Sequence, residues 1–168
     1  TSTVDFFATA AEITGGRKGI PADAAEDSFS FLATLDGKQT LRRRPFLIHH
    51  SINGSFAIRQ GKWKLCLCPG SGGWSDPKPN VALKDESLSP IQLFDLKADP
   101  AETTNVASSH PEVVDRLAGH LAGAIRRGRT TMGAVQPNDG WPDTISEAVL
   151  KRLPVLEEGK PELPLLRL

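Results

Sequence analysis

An α+β fold, with a small antiparallel sheet of three to four strands packed against one long C-terminal helix, follows from three observations on this 168-residue sequence. Apolar and polar residues alternate through Ser55 to Arg59 and through Trp63 to Cys68, the period-2 pattern of strands buried on one face. Turn residues punctuate these runs, Asn53-Gly54 before the first and Gln60-Gly61-Lys62 between the two. From Val113 to Ile125 the apolar spacing changes to the three-and-four pattern of a helix. Strands followed by a helix, without βαβ alternation, give α+β.

Each element has its own reason. Val4, Phe6, Phe7, Ala10, Ala11 and Ile13 recur at helical spacing and Gly15-Gly16 stops the run, so a short amphipathic helix opens the chain and needs a partner surface. Gly19 to Ala25 reads as loop. Ser28 to Leu35 gives a short helix or turn around Phe31, Leu32 and Leu35, closed by Asp36-Gly37. Leu41-Arg42-Arg43-Arg44-Pro45 is a basic approach to a strand over Phe46 to Ser51, and Pro45 suits its start. Asn53-Gly54 predicts a type I′ hairpin, because both residues tolerate positive φ. Phe56 and Ile58 share a face on the second strand. On the third, Trp63, Leu65 and Leu67 point one way and Lys64, Cys66 and Cys68 the other.

Pro69 to Pro90 is a long Gly-, Ser- and Pro-rich loop with Trp74, Val81, Leu83 and Leu88 as its anchors, a length that marks a functional or disordered segment. Ile91 to Leu96 forms a fourth strand, and Asp99-Pro100 turns the chain. Ser109-His110-Pro111-Glu112 opens the long helix, with Pro at the first turn and an acid at the positive dipole end. Its stripe is Val113, Val114, Leu117, Leu121, Ala124 and Ile125, and Gly128 stops it after Arg126-Arg127. Thr130 to Leu168 is Pro-broken, with a short helix over Thr144 to Leu153 and an extended end.

Composition removes several function classes. Lys+Arg and Asp+Glu both number 20, so no excess charge draws the chain to nucleic acid or an anionic membrane. No apolar run approaches the roughly 20 residues of a membrane span. Thr1-Ser2-Thr3 shows no start Met, basic leader or apolar core of a signal; it reads as a cut inside a longer protein, with a processed mature chain as the alternative. Cys66 and Cys68 lie two apart on one strand, a poor disulfide geometry, and no further Cys/His cluster completes a zinc site. Core or half-buried thiols are the simpler reading.

Four segments, in order, carry a family resemblance. Val4 to Gly15, VDFFATAAEITG, is similar to a "D-hydrophobic-x-T-hydrophobic-G" helix. Phe56 to Leu65, FAIRQGKWKL, resembles "AIRxGxWKL". Leu93 to Val106, LFDLKADPAETTNV, resembles "LYDLxxDPxExxN". His110 to Leu117 followed by Gly128-Arg129-Thr130-Thr131 resembles "HPEVVxxL" and a "GRSTPG" loop, with Met132 where Pro is expected. Together they resemble the C-terminal part of type I sulfatases, the arylsulfatase branch of the alkaline-phosphatase-like superfamily.

The resemblance implies residues 1–40 as helix and loop of a main α/β domain, 41–135 as a C-terminal subdomain, and 136–168 as an extended tail. It implies sulfate ester hydrolysis by a parent enzyme that uses calcium and a formylglycine made from C-x-P-S-R. Neither Cys66-Leu67-Cys68-Pro69 nor Cys68-Pro69-Gly70-Ser71 fits that motif, and the tandem Asp of the calcium site is absent. No catalytic residue and no metal ligand is therefore assigned to this chain, and the isolated chain is expected to be inert. The implied partners are the upstream α/β domain and a sulfated carbohydrate or aryl sulfate; bacterial members are often exported to the periplasm or beyond.

The substrate-facing candidates are His49, His50, Asn53 and Trp74. His49-His50 places one imidazole on each sheet face, near the cleft the resemblance implies, against a structural role for both. Asn53 is a turn residue first. Trp74 sits on a loop where an aromatic could stack on a sugar, against simple anchoring. Arg42-Arg43-Arg44 suits a polyanion or plain solvation, and Arg59 and Lys64 an anion or plain solvation. Asp99, Glu102 and Asn105 are explained by turn and capping roles. A stand-alone carbohydrate-binding or structural module is the alternative, and the Phe6-Phe7-Ile13 face discriminates: a module buries it, a fragment leaves it exposed.

Overall fold

A computed structural model describes residues 2–16, 20–21, 23–38, 44–138 and 144–159. After a 3₁₀ turn at Thr3–Asp5 the described elements run α1 (Phe6–Ile13), α2 (Leu32–Leu35), β1 (Leu47–His50), β2 (Phe56–Gln60), β3 (Trp63–Cys66), α3 (Pro79–Ala82), β4 (Gln92–Asp95), α4 (Pro111–Arg127) and α5 (Glu147–Arg152), then a 3₁₀ helix at Pro154–Gly159. The four strands form an antiparallel meander in the order β1-β2-β3-β4, and the α+β class holds.

The register explains the alternation. Ile48, Ile58, Leu65 and Leu93 lie in one row across the four strands, and the last three are fully buried. They meet Val114, Leu117 and Leu121 of α4 in a single core, with α4 across β2 and β3. The next row, His49, Ala57, Cys66 and Gln92, faces the other way. Helix α4 begins at His110 with Pro111 in its first turn and ends at Gly128 in the left-handed conformation, φ 59°. A β-carbon on Gly128 would lie 2.3 Å from the Gln136 carbonyl oxygen, so the returning chain packs where only glycine fits.

The LFDLKADPAETTN segment is a set of local clamps. Asp95 accepts from Lys97 N at 3.1 Å, and Asp99 accepts from Thr103 N at 2.7 Å and Thr104 N at 2.8 Å. Asn105 works as a substitute strand: its side-chain oxygen accepts from Leu93 N and Ala107 N, both at 3.0 Å, and its amide donates to Ile91 O. Lys64 pairs with Glu102 at 2.6 Å and is half-buried.

Four expectations need correction. The hairpin between β1 and β2 is not type I′. Gly54 N bonds Ser51 O, Ser51 N bonds Ser55 O, and only Gly54 has positive φ, 84°; this is a three-residue loop with a left-handed glycine closing it. The second concerns the long loop, where Trp74, Val81 and Leu83 are exposed rather than anchoring. Pro69, Gly72 and Ala82 are the buried residues of the loop, Leu88 is half-buried, and Gln92 holds the loop by donating to Cys68 O at 2.9 Å and Gly70 O at 2.6 Å.

Third, the short helix expected over Thr144 to Leu153 is present as α5, but the chain after it continues as a 3₁₀ helix rather than as an extended end up to residue 159. Ser146 caps α5 by accepting from Val149 N, and Val149, Leu153 and Leu156 enter the core under α4. The final PELPLLRL lies outside the described residues. Fourth, Arg44 is no solvated charge: its guanidinium pairs with Asp5, donates to Asp27 O at 2.8 Å and stacks 4.6 Å from the Phe29 ring centre. Arg42 and Arg43 lie outside the described residues.

The inward side of α1 also differs from its apolar stripe. Asp5, Ala8 and Thr9 are its buried residues. Asp5 accepts from Ser2 N and Phe29 N, both at 3.0 Å; Thr9 accepts from Phe31 N at 3.1 Å and donates to Asp5 O at 2.7 Å. The motif's Asp and Thr thus pin the following segment onto α1, while Val4, Phe6, Phe7 and Ile13 point outward.

Candidate functional site

A cleft of about 730 Å³ opens along the free edge of β1. Ile48, His49, His50 and Phe56 form its sheet side. Leu121, Ala124 and Ile125 near the end of α4 form an apolar wall, and Ser2 to Val4 close the front. Asp27, Arg44, Arg129 and Thr130 supply its polar end. The GRTTMG turn is held there by hydrogen bonds. Arg129 is buried and donates to Thr131 Oγ1 at 3.0 Å and Ala134 O at 3.0 Å, and Thr131 in turn bonds Glu26 O at 2.6 Å.

Of the four substrate-facing candidates, the structure brings His49 and His50 to this cleft. His50 is exposed and packs on Phe56 with ring centres 4.1 Å apart. His49 lies on the opposite face of the strand. Burial, then the nearby charge of Lys64, lowers its pKa below the ordinary histidine value, against an upward pull from Glu102. Its imidazole is thus mainly neutral at pH 7.

Asn53 and Trp74 do not line the cleft; they sit at the hairpin tip. Asn53 Oδ1 is occupied within the turn, by Ser51 Oγ, by Ser55 Oγ at 3.0 Å and by Ser55 N at 3.3 Å. The Trp74 loop is pressed onto the tip: a β-carbon on Gly72 would lie 3.2 Å from Ser51 Oγ, and one on Gly73 3.5 Å from Ile52 Cγ2. Trp74 itself is 80% exposed. Arg44, Asp27 and Thr130 were not foreseen as site residues. The basic run and the GRTTMG loop marked their neighbourhoods, but the contact of Asp27 with Thr130 spans 103 positions, which local patterning does not show.

Cys66 and Cys68 are free, half-buried and buried respectively. Burial pushes the Cys66 thiol up to about 12 and also raises that of Cys68. Native protein should therefore resist alkylation by iodoacetamide at mildly alkaline pH, while urea-unfolded protein labels readily. Equal labelling rates would contradict this burial.

The fold defines an α+β unit in which an antiparallel sheet and one long helix share a core, with a charged and apolar cleft at the sheet edge. The comparisons place it. The chain is 36% identical over 116 residues to an N-acetylgalactosamine-6-O-sulfatase of Bacteroides thetaiotaomicron, covering 69% of this chain and 22% of that protein. It is 31% identical over 123 residues to a choline-sulfatase of Rhizobium meliloti, covering 69% and 19%.

A solved structure described with the metabolism of multiple glycosaminoglycans by Bacteroides thetaiotaomicron superposes with a TM-score of 0.54 at 32% identity, over 71% of this chain and 24% of that one. No family model matches the chain. The chain belongs to the sulfatases and corresponds to a C-terminal portion of them. It spans about a fifth of the length of the curated relatives it matches.

The calcium and formylglycine that sulfatase kinship implies for parent enzymes do not fit the donors here. Among the described residues no three His, Cys, Asp or Glu are grouped to hold a metal ion. Asp99 and Asn105 are bonded to backbone, and Glu102 is paired with Lys64. No step through either group is derived for this chain.

Proposed function

We propose that this chain is the C-terminal subdomain of a sulfate ester hydrolase, covering the main sheet and shaping the substrate entrance while the catalytic centre belongs to the preceding α/β domain. The outward face of α1 carries this reading. Phe6, Phe7 and Ile13 are 63%, 55% and 62% exposed on one short helix, although Phe6 has an edge contact with Phe31. A self-contained module buries such a face; a subdomain offers it to the body it covers. The same observation weighs against a stand-alone carbohydrate-binding or structural module.

The substrate is a sulfated carbohydrate or aryl sulfate. His49 and His50 face it from the cleft, and Asn53 and Trp74 from the hairpin tip, where an exposed indole offers a stacking surface for a sugar ring. The test has two parts. The isolated chain, given 4-nitrocatechol sulfate with calcium, should release no product above a protein-free control; turnover would put the chemistry in this chain. The coding sequence upstream of Thr1 should contain C-x-P-S-R within a few hundred codons, and its absence would sink the sulfatase assignment of activity.

A further inference from the structure

The fold treats the two edges of its sheet differently. At β4 the chain closes the outer edge itself: Leu93 N donates to Asn105 Oδ1 at 3.0 Å, and Val106 N donates to Leu93 O at 2.9 Å. At β1 the edge is open. Ser51 N bonds Ser55 O and Leu67 N bonds Phe56 O, both at 2.9 Å, and bonded positions alternate along an antiparallel pair. Leu47 and His49 therefore bond β2, opposite Arg59 and Ala57, while the N–H and C=O groups of Ile48 and His50 point away from the sheet. Among the described residues, no hydrogen bond from outside the sheet reaches those groups.

Native proteins blunt an open edge with Lys, Pro, a bulge or a covering segment. Strand β1 pairs without a bulge and contains neither Lys nor Pro, which leaves the covering segment. The edge borders the cleft, and Leu121, Ala124 and Ile125 of α4 stand across it. A strand edge facing an apolar helix wall is a groove in which an extended peptide adds a strand: its backbone bonds the edge and every second side chain meets the wall. The front of the cleft indicates which peptide. Ser2, Thr3 and Val4 form it, and the chain corresponds to a C-terminal portion of sulfatases, about a fifth of their length. What precedes that portion is thus brought to the mouth of the groove.

We infer that β1 is a docking edge, on which an extended segment of the preceding α/β domain adds a fifth strand and seats an apolar side chain, in register with Ile48, on Leu121, Ala124 and Ile125. The partner rests on the subdomain reading above; the open edge does not. A strand added in the plane of the sheet leaves the His49 and His50 imidazoles, which stand off its faces, to the substrate role already given.

Amide hydrogen exchange, resolved to single residues, should be compared between the isolated chain and the full-length protein. Leu47 and His49 should exchange slowly in both. Ile48 and His50 should exchange fast in the isolated chain and roughly a hundredfold slower in the full-length protein. His50→Pro removes one edge donor at a position where an edge strand accepts proline. It should leave the thermal midpoint of the isolated chain unchanged and, in the full-length protein, speed exchange at Ile48 about tenfold, the loss of one backbone hydrogen bond. His50→Ala, which keeps the amide, should do neither. Equally fast exchange of Ile48 and His50 in both proteins would overturn the inference, and this comparison needs no variant to fold. So would protection that a folded His50→Pro leaves intact, which is burial without pairing. Protection that appears in the isolated chain as its concentration rises would also overturn it, since the partner would then be a second copy. Exchange is read without turnover, so a failed hydrolysis assay and a failed exchange comparison are separate results.

Discussion

Replacing Asp5 with alanine should cost about 3–5 kcal/mol of stability, the cost of removing one partner of a buried ion pair. The side chains of Asp5 and Arg44 are 4% and 14% exposed. Without the carboxylate, Arg44 keeps its charge but loses its counter-ion, and the amides of Ser2 and Phe29 lose their acceptor. Urea unfolding monitored by circular dichroism should show a clearly lower midpoint, with Asp5→Asn between alanine and wild type. The dependence on pH follows from the same contacts. Burial alone raises the Asp5 pKa, but the bonds from Phe29 N, Arg44 and Ser2 N, with the Arg44 charge, outweigh it and hold the value below normal. A depressed folded-state pKa adds stability that is present above the ordinary carboxylate range and lost as pH falls through the lowered value. The gap between wild type and Asp5→Asn should therefore narrow on acidification from pH 7. A gap that is absent at neutral pH, or independent of pH, would remove this pair as the anchor of α1.

Much of the fold was legible because its signals are local. The alternation from Phe56 to Leu65 reports one buried face directly, and the row Ile58, Leu65 and Leu93 is that face. Pro111 and Gly128 bracket α4 because each tolerates what a helix end demands. The errors share a different cause. Asn53-Gly54 looks like a type I′ turn in isolation, yet the Asn53 side chain closes a type with only Gly54 left-handed, by accepting from Ser51 and Ser55. The apolar stripe of α1 is exposed, and the side that this chain buries is Asp5, Ala8 and Thr9. Polar pins with partners 22 and 24 residues away leave no periodic trace. The candidate site was legible to the same extent. His49 and His50 sit on a recognisable strand, whereas Asp27, Arg44 and Thr130 meet only through tertiary contacts.

The same blindness to long-range contacts sets up the other large effect, because the short helix over Thr144 to Leu153 was legible but the burial of Ile145 to Leu156 in the core was not. Ile145, Val149, Leu153 and Leu156 are 4%, 0%, 2% and 0% exposed. At about 1.5–3 kcal/mol for each fully buried side chain, the four together are worth about 6–12 kcal/mol, comparable with the whole stability of a domain, about 5–15 kcal/mol. Thr144 adds a clamp, donating to Gly54 O at 2.8 Å across the hairpin tip. A chain ended after residue 143 is therefore expected to lose its cooperative transition, and the single change Leu156→Ala to cost about 2–5 kcal/mol with the fold kept. Thermal melts of the two variants against wild type separate the outcomes. A truncated chain melting cooperatively at the wild-type midpoint would mean that the helical turns merely rest on α4. Loss of the transition in the truncation with a moderate drop for Leu156→Ala would make them the other wall of the core, opposite the sheet, with α4 between.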